Sequence, residues 1–366
     1  GPDYNEFFIK EDKKNFVNDF NVLIKQFCIA DQKPIISLSG GIDSNIILNS
    51  ILANNKRPKT FTLGFNNITF DESRDVESIN SHFDKNIYKV NETEITDKFL
   101  HISKYISEPN GDSSFLPTYI LFNKIKDYTN VSLGGDGGDE SFFGYITYDA
   151  FVLAKILKFF IPNKLLKLIK KSVSIKSDSY DYLSTKKKIN KFLSSIDLNQ
   201  KYLLSSWMSC LNLDDHSKYF NENILPHDIF KDSYNVYSNN KTSLRNAQFY
   251  YFKYYLPMVL SKVDQASMLN SVENRSPFIS KKIINLSLDT NINELYSIFN
   301  KKKFLKDKYK SIIHKKILKR PKHGFAFQTD IILRNKDLIN KLIKPNIIYN
   351  YDFFNEKYST YLNNDK

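Results

Sequence analysis

The sequence predicts an α/β protein: a parallel sheet with helices on both faces, followed by a mostly helical region packed on it. Three observations carry this. Short apolar runs alternate with helix-length periodic stretches as far as about residue 150. Two of those runs, Pro34–Leu38 and Val131–Leu133, lead straight into glycine-rich turns. Beyond residue 150 the strand signals fade while apolar residues keep helical spacing. A connection that carries a helix crosses a sheet face and returns the chain in the same direction, so strict alternation implies parallel strands.

Each element has its own signal. In an N-terminal helical segment over residues 1–30, Phe7, Phe8, Phe16, Phe20, Val22, Leu23 and Phe27 recur at helical spacing. Residues 31–150 form the α/β core. There Pro34-Ile35-Ile36-Ser37-Leu38 is a buried strand, and Ile46, Ile47, Leu48, Ile51 and Leu52 mark the helix after it. Lys59–Phe65 is the second strand, a helix follows Asp71, and Lys85–Val90 is the third strand. Helices over 94–106 and 117–128 precede a fourth strand at Val131–Leu133. Residues 151–366 are the mostly helical region. It opens with a Lys-rich amphipathic helix over 151–173, interrupted at Pro162, and continues through 180–220, 245–270 and 281–320. Trp207 reads as core.

The chain has 366 residues, 41% of them hydrophobic, enough for a sizeable core in two or three domains' length. Its formal charge of +13 follows mostly from heavy lysine use, and also favours anionic ligands. Cys28 and Cys210 have neither zinc-site spacing nor the number for a disulfide framework, which fits a cytoplasmic protein. No run approaches the ~18 apolar residues of a membrane span, and no signal-peptide pattern opens the chain. Gly1-Pro2 has the look of a tag-cleavage remnant.

Two segments carry chemistry. In Ser39-Gly40-Gly41-Ile42-Asp43-Ser44 the glycines let backbone N–H groups close on an anion, and the following helix points its positive end there. Ser39 and Ser44 add hydroxyls. Asp43 would repel a phosphate unless a cation such as Mg2+ stood between them. The lysine-bearing GxxxxGK[ST] loop is absent, and an ordinary capped Gly-Gly turn is the plain alternative. The second segment runs from Leu133 through Gly134, Gly135, Asp136, Gly137, Gly138 and Asp139 to Tyr145. Such a loop admits close backbone approach to a ligand while presenting carboxylates. Asp139 could share a cation with Asp43, and Asp136 could orient or deprotonate an amine. EF-hand ligand spacing is missing. Both loops leave carboxyl ends of strands, where ligands bind in open parallel sheets.

Taken together and in this order, the two segments resemble the synthetase domain of the asparagine synthetase family, within the wider PP-loop ATP pyrophosphatases of adenine nucleotide α-hydrolase-like fold. Three more stretches are similar to family motifs: Ser107–Ser114, Lys262–Met268 running on to Glu273–Phe278, and Arg320-Pro321-Lys322-His323-Gly324-Phe325. The resemblance spans about residues 33–328. Ser107 and Ser280 stand where the family usually has Asp, and Gln328 where it has Pro, which bears on substrate identity. The N-terminal glutaminase domain of glutamine-dependent members has no counterpart here, so the chain alone is not expected to hydrolyse glutamine.

The resemblance implies ATP and Mg2+ as cofactors. It implies that Ser39, Gly40, Gly41, Asp43 and Ser44 hold pyrophosphate, that Asp43 and Asp139 ligate Mg2+, and that Leu63, Gly64, Gly134 and Gly135 line the adenosine site. Asp136 matches the carboxylate near the reacting amine, and Lys322 the lysine that stabilises charge as a carboxylate attacks the α-phosphorus. Preorganised charge of that kind contributes ~3–4 kcal/mol per group. Most other basic residues of 301–322 read as a solvated helix face. The implied reaction is amide formation from a small-molecule, peptide or sugar carboxylate and an amine or ammonia, the ammonia coming from solution or a separate glutaminase subunit. Nucleic acid is not the expected partner, although a tRNA-modifying PP-loop enzyme is the alternative reading, and a non-catalytic nucleotide-binding protein a further one. Lys262, Asp264, Glu273 and Arg275 either shape a substrate pocket or brace the helical region, and Glu108 and Asp112 are further site candidates.

Overall fold

A computed structural model describes residues 13–54, 56–65, 71–79, 83–106, 112–172, 185–209, 243–320, 325 and 330–342, with positions 352, 355, 356, 358 and 359. Five parallel strands form one sheet in the order β3-β2-β1-β4-β5. They are β1 (Ile35–Ser37), β2 (Lys59–Phe65), β3 (Asp84–Val90), β4 (Val131–Leu133) and β5 (Glu273–Arg275). Helices α1 (Phe16–Phe27), α2 (Ile42–Leu52), α3 (Ser73–Glu77), α4 (Glu92–Ile102), α5 (Phe115–Ile125) and the single turn α6 (Gly138–Ser141) alternate with the first four strands. Thr60 to Phe65 of β2 are buried in unbroken succession, as happens when helices cover both faces of a parallel sheet.

The first four strands fall where the sequence puts them. The fifth does not follow from the sequence: Glu273-Asn274-Arg275 has no apolar or β-branched residue, and becomes a strand by pairing with Val131–Leu133. Arg275 fixes this edge by donating to the carbonyls of Phe27 and Ile29 at 3.0 and 2.7 Å.

The chain divides into two compact units, each discontinuous in sequence. One comprises Gly1–Tyr145 and Tyr251–Gln328; the other Ile146–Tyr250 and Thr329–Lys366. The first unit holds the sheet. Its aromatic core joins α1 to the second glycine loop: the Phe16 ring lies 5.1 Å from Phe304 and 6.0 Å from Phe142, and Phe20 lies 4.9 Å from Phe278. Ile24 takes the inward place on α1, and Val22 faces solvent. Phe7 and Phe8 lie outside the described residues.

The second unit is helical in its described residues, with Ile146–Phe160 and Asn163–Ser172 separated at Pro162. Ile146–Phe160 packs against Gln200–Met208 and Leu244–Tyr250. Trp207 is buried and stacks on Phe192. No helix among the described residues is long and apolar enough to cross a membrane.

The strand order places the site. From β1 the chain runs outward through β2 and β3, then returns to pair β4 on the other side of β1. This reversal opens a crevice at the carboxyl ends of β1 and β4. Ile35 is in register with Ser132 and Ile36 with Leu133, and the Ser37 and Ser132 hydroxyls lie 2.9 Å apart. The two glycine loops therefore leave adjacent strand ends side by side.

Candidate active site

The first loop is tied by its own polar side chains. Ser44 Oγ accepts from Ser39 N at 3.1 Å and lies 3.0 Å from Ser39 Oγ. Ser39 Oγ accepts from Gly41 N at 3.2 Å. Asn45 Nδ2 donates to the carbonyls of Gly41 and Ser39 at 2.7 and 3.1 Å, and Thr62 Oγ1 on β2 donates to Leu38 O at 2.7 Å. Gly41, in extended conformation, is the N-cap of the eleven-residue helix α2. The first N–H groups of such a helix lack intrahelical acceptors and carry the positive end of its dipole. The result is a preorganised concavity for an anion.

The second loop closes against the first through glycines that lack a Cβ where a side chain already stands. A Cβ on Gly135 would lie 2.9 Å from Asp43 Cβ, and one on Gly138 would lie 2.6 Å from Asp43 Oδ1. On Gly144 it would overlap the Asp139 carboxylate and the Lys302 stem. Gly137, at φ 88°, makes the left-handed turn into α6 that L side chains resist. These omissions bring Asp43 and Asp139 together.

A third residue, not predicted, completes the cluster. Lys302 Nζ donates to Asp43 Oδ2 and lies 2.6 Å from Asp139 Oδ1. The three side chains are only 9–15% exposed. Burial alone would favour the neutral amine, but the Asp139 and Asp43 charges outweigh it and raise the Lys302 pKa well above that of a free lysine. Lys302 is also a left-handed non-glycine residue, at φ 54° and ψ 34°, capping the helix Lys303–Tyr309. The bend turns its stem inward, away from its basic neighbours.

A second cation meets the first loop. Arg320 Nη1 lies 3.1 Å from Glu72 Oε1 and its Nε 2.8 Å from Asp75 Oδ2. The guanidinium packs so closely on Gly40 that a Cβ there would stand 2.7 Å from Arg320 Cζ. Acids on and beside α3 thus hold a positive charge over the loop backbone.

The remaining candidates are distributed around this centre. Asp136 Oδ2 accepts from Ser276 Oγ at 3.3 Å and Asn274 Nδ2 at 3.4 Å, so β5 supplies its support. A Cβ on Gly134 would lie 2.8 Å from Asp136 Oδ2. Leu63 and Gly64 are buried near the carboxyl end of β2, Gly64 beside Asp71 and Ser73. Asp112 pairs with Lys262 at 3.1 Å, while Glu273 pairs with Arg275 at 2.8 Å at the sheet edge. Lys322, His323, Ser107 and Glu108 lie outside the described residues.

The donor set suits a divalent cation of the Mg2+ type. Two carboxylates reach one cationic centre, and Mg2+ commonly takes one or two carboxylates with the rest of its shell from phosphate and water. No group of three or more His, Cys, Asp or Glu able to cage a metal occurs among the described residues.

Fold and site together define an α/β protein with a glycine-rich strand-to-helix turn at a topological switch point of its parallel sheet. Comparison with known proteins narrows the class. The asparagine synthase family model matches residues 24–364. The chain is 26% identical over 305 residues to a protein named asparagine synthetase [glutamine-hydrolyzing] 1 from Bacillus subtilis, covering 82% of this chain and 47% of that one. A putative asparagine synthetase [glutamine-hydrolyzing] from Mycobacterium bovis is 25% identical over the same length, with 82% and 46% covered. A shorter match, 29% identical over 155 residues, covers 40% of this chain and 29% of a putative asparagine synthetase [glutamine-hydrolyzing] 2 from Methanocaldococcus jannaschii. The chain belongs to the asparagine synthase family. It spans about half the length of the two relatives it matches over 305 residues.

Proposed function

We propose that this chain is an ATP-dependent carbon–nitrogen ligase that adenylates a carboxylate and passes the acyl group to an amine. The observation that carries the reading is the convergence of Asp43 and Asp139 beside the Ser39–Ser44 loop, metal-type ligands next to an anion cradle. In the first step a substrate carboxylate oxygen attacks the α-phosphorus of ATP, and the α–β bridging bond breaks. Acyl-AMP forms and pyrophosphate leaves. In the second step an amine attacks the acyl carbon, AMP leaves and a proton is released.

Each residue has a role within that sequence. Ser39, Gly40, Gly41 and Ser44 hold the β- and γ-phosphates through backbone and hydroxyl donors. Asp43 and Asp139 would hold Mg2+, which would neutralise phosphate charge. Leu63, Gly64, Gly134 and Gly135 line the adenosine site. Asp136, kept in place by Asn274 and Ser276, faces the amine. Lys322 stabilises charge at the α-phosphorus. Arg320 adds positive charge where pyrophosphate departs. Ammonia from solution, ammonia from a separate glutaminase subunit, or a primary amine supplies the nitrogen.

The test is ATP–pyrophosphate exchange across a panel of carboxylates, aspartate first. Exchange dependent on one acid is the expected result. No exchange with any acid, by protein that binds ATP, would rule the adenylation reading out.

A further inference from the structure

We infer that Lys302 is a built-in counter-ion that holds the Asp43 and Asp139 carboxylates in their metal-binding arrangement and is exchanged for the divalent cation when nucleotide binds. The inference rests on the reading of Asp43 and Asp139 as metal ligands. It adds a residue and a step which that reading does not contain.

The geometry makes one cation necessary at this point. Both carboxylates reach the same Nζ, and all three side chains are largely withdrawn from water. Two buried carboxylates that close repel each other, and an uncompensated pair would take up a proton or move apart. The ammonium prevents both. Its stem lies in space left by Gly144, while Gly138 leaves room for Asp43. The left-handed backbone of Lys302 is strained for a non-glycine residue, and such strain persists only where the surroundings hold it. Here the two ion pairs supply that hold.

The same geometry makes the ammonium an obstacle. It occupies the point on which Asp43 Oδ2 and Asp139 Oδ1 converge, so a metal ion that takes those two oxygens must displace Nζ. Nucleotide resolves the conflict. Its phosphates contribute ligands to the metal and offer the displaced ammonium a new anion within reach of a four-carbon stem. Entry of the metal is then an exchange of cations, and is favourable only when phosphate accompanies it. Without nucleotide the site stays closed to metal, yet its ligands are already in position.

The test is Mn2+ binding, measured by the loss of free-ion electron paramagnetic resonance signal, on wild type and Lys302→Met without nucleotide. Wild type is expected to bind Mn2+ weakly, and Lys302→Met at least tenfold more tightly. Adding Asp43→Asn to Lys302→Met should abolish the gain. Equal or weaker Mn2+ binding by a folded Lys302→Met protein would overturn the inference. If that variant unfolds in chelator, Mn2+ alone should refold it, and failure to do so counts against the inference. Lys302→Gln, which keeps a neutral donor at similar reach, should move Mn2+ affinity in the same direction. ATP–pyrophosphate exchange by the wild type is measured separately. A protein that passes the Mn2+ test without exchange activity retains the cation exchange and loses the ligase assignment; the converse result loses only the exchange.

Discussion

The guanidinium of Arg320 rests on Gly40, the first glycine of the anion loop, and is held there by Glu72 and Asp75. The contact joins residues far apart in sequence, and it sets two demands on the loop. Position 40 must lack a side chain, and the arginine must keep both acids neutralised.

Gly40→Ala therefore drives a methyl group into the guanidinium. The expected outcome is a folded protein with ATP affinity lowered by about tenfold or more, since displacing a charge-assisted contact costs ~1.5–3 kcal/mol. Arg320→Met should be worse for nucleotide than for folding, because it leaves Glu72 and Asp75 facing the phosphates. Adding Glu72→Gln to Arg320→Met should recover part of the ATP affinity. Calorimetric titration of ATP into the four proteins checks the series. A wild-type affinity in Arg320→Met would show that this charge does not act on the nucleotide.

The proposed roles make Asp136 the residue whose loss should separate the two chemical steps. It is supported by Asn274 and Ser276 on and beside β5, whereas the metal-type cluster is built from Asp43, Asp139 and Lys302. Asp136→Asn is expected to keep ATP–pyrophosphate exchange within a few-fold and to lower amide formation by ~100-fold or more, the range for loss of a general base. Parallel loss of both activities would move Asp136 into the adenylation step. Asn274→Ala, which removes one donor to Asp136, should shift amide formation in the same direction by less.

Asp112 and Lys262 make a prediction about stability. Burial raises the Asp112 pKa, but the Lys262 charge and the Ser114 hydrogen bonds outweigh it and hold the carboxyl below its usual range. A depressed folded-state pKa contributes stability that is present above the unfolded pKa and lost as pH falls through the folded one. The pair should therefore matter at neutral pH and fade below about pH 4. Asp112→Asn is expected to cost about 2–4 kcal/mol by urea unfolding at pH 7, because it strands a buried ammonium. Asp112→Asn combined with Lys262→Met should cost less than Asp112→Asn alone. Strict additivity would mean the pair braces nothing.

What the sequence reveals and what it conceals follow from the range of the interactions. The strands at Ile35–Ser37, Lys59–Phe65 and Val131–Leu133 are legible because buried parallel strands are apolar runs. The second loop is legible because glycines between acids have few other uses, and the first because its Gly-Gly turn joins an apolar strand run to a helical pattern. Glu273-Asn274-Arg275 carries no such mark: its strand character comes from the β4 edge it pairs with. Lys302 lies in the run Lys301-Lys302-Lys303, where composition says surface. Only the left-handed turn at its own backbone, which no residue type nearby announces, sends one lysine of the run into the core. Arg320 belongs to a quoted motif, but its function over Gly40 depends on acids near α3, more than 240 residues earlier.

The helical unit supplies a prediction about alkaline pH. Lys158 Nζ donates to Leu198 O, and burial lowers its pKa to about 8 against the partial compensation of Asp197. The unfolded lysine keeps its proton to about pH 10.4. Between those values the unfolded chain binds more protons than the folded one, so stability gained from Lys158 rises with pH across the window. Below about pH 8 the protonated, partly buried amine is a constant penalty, on the order of 1 kcal/mol once solvent screening is allowed for. Lys158→Met removes the penalty together with the Leu198 hydrogen bond, so the absolute offset between variant and wild type carries little information. The pH dependence of that offset does. Urea midpoints should show a constant difference from pH 6 to about 8, then a drift in favour of wild type up to about pH 10. Parallel curves over the whole range would mean that Lys158 titrates as an ordinary surface lysine.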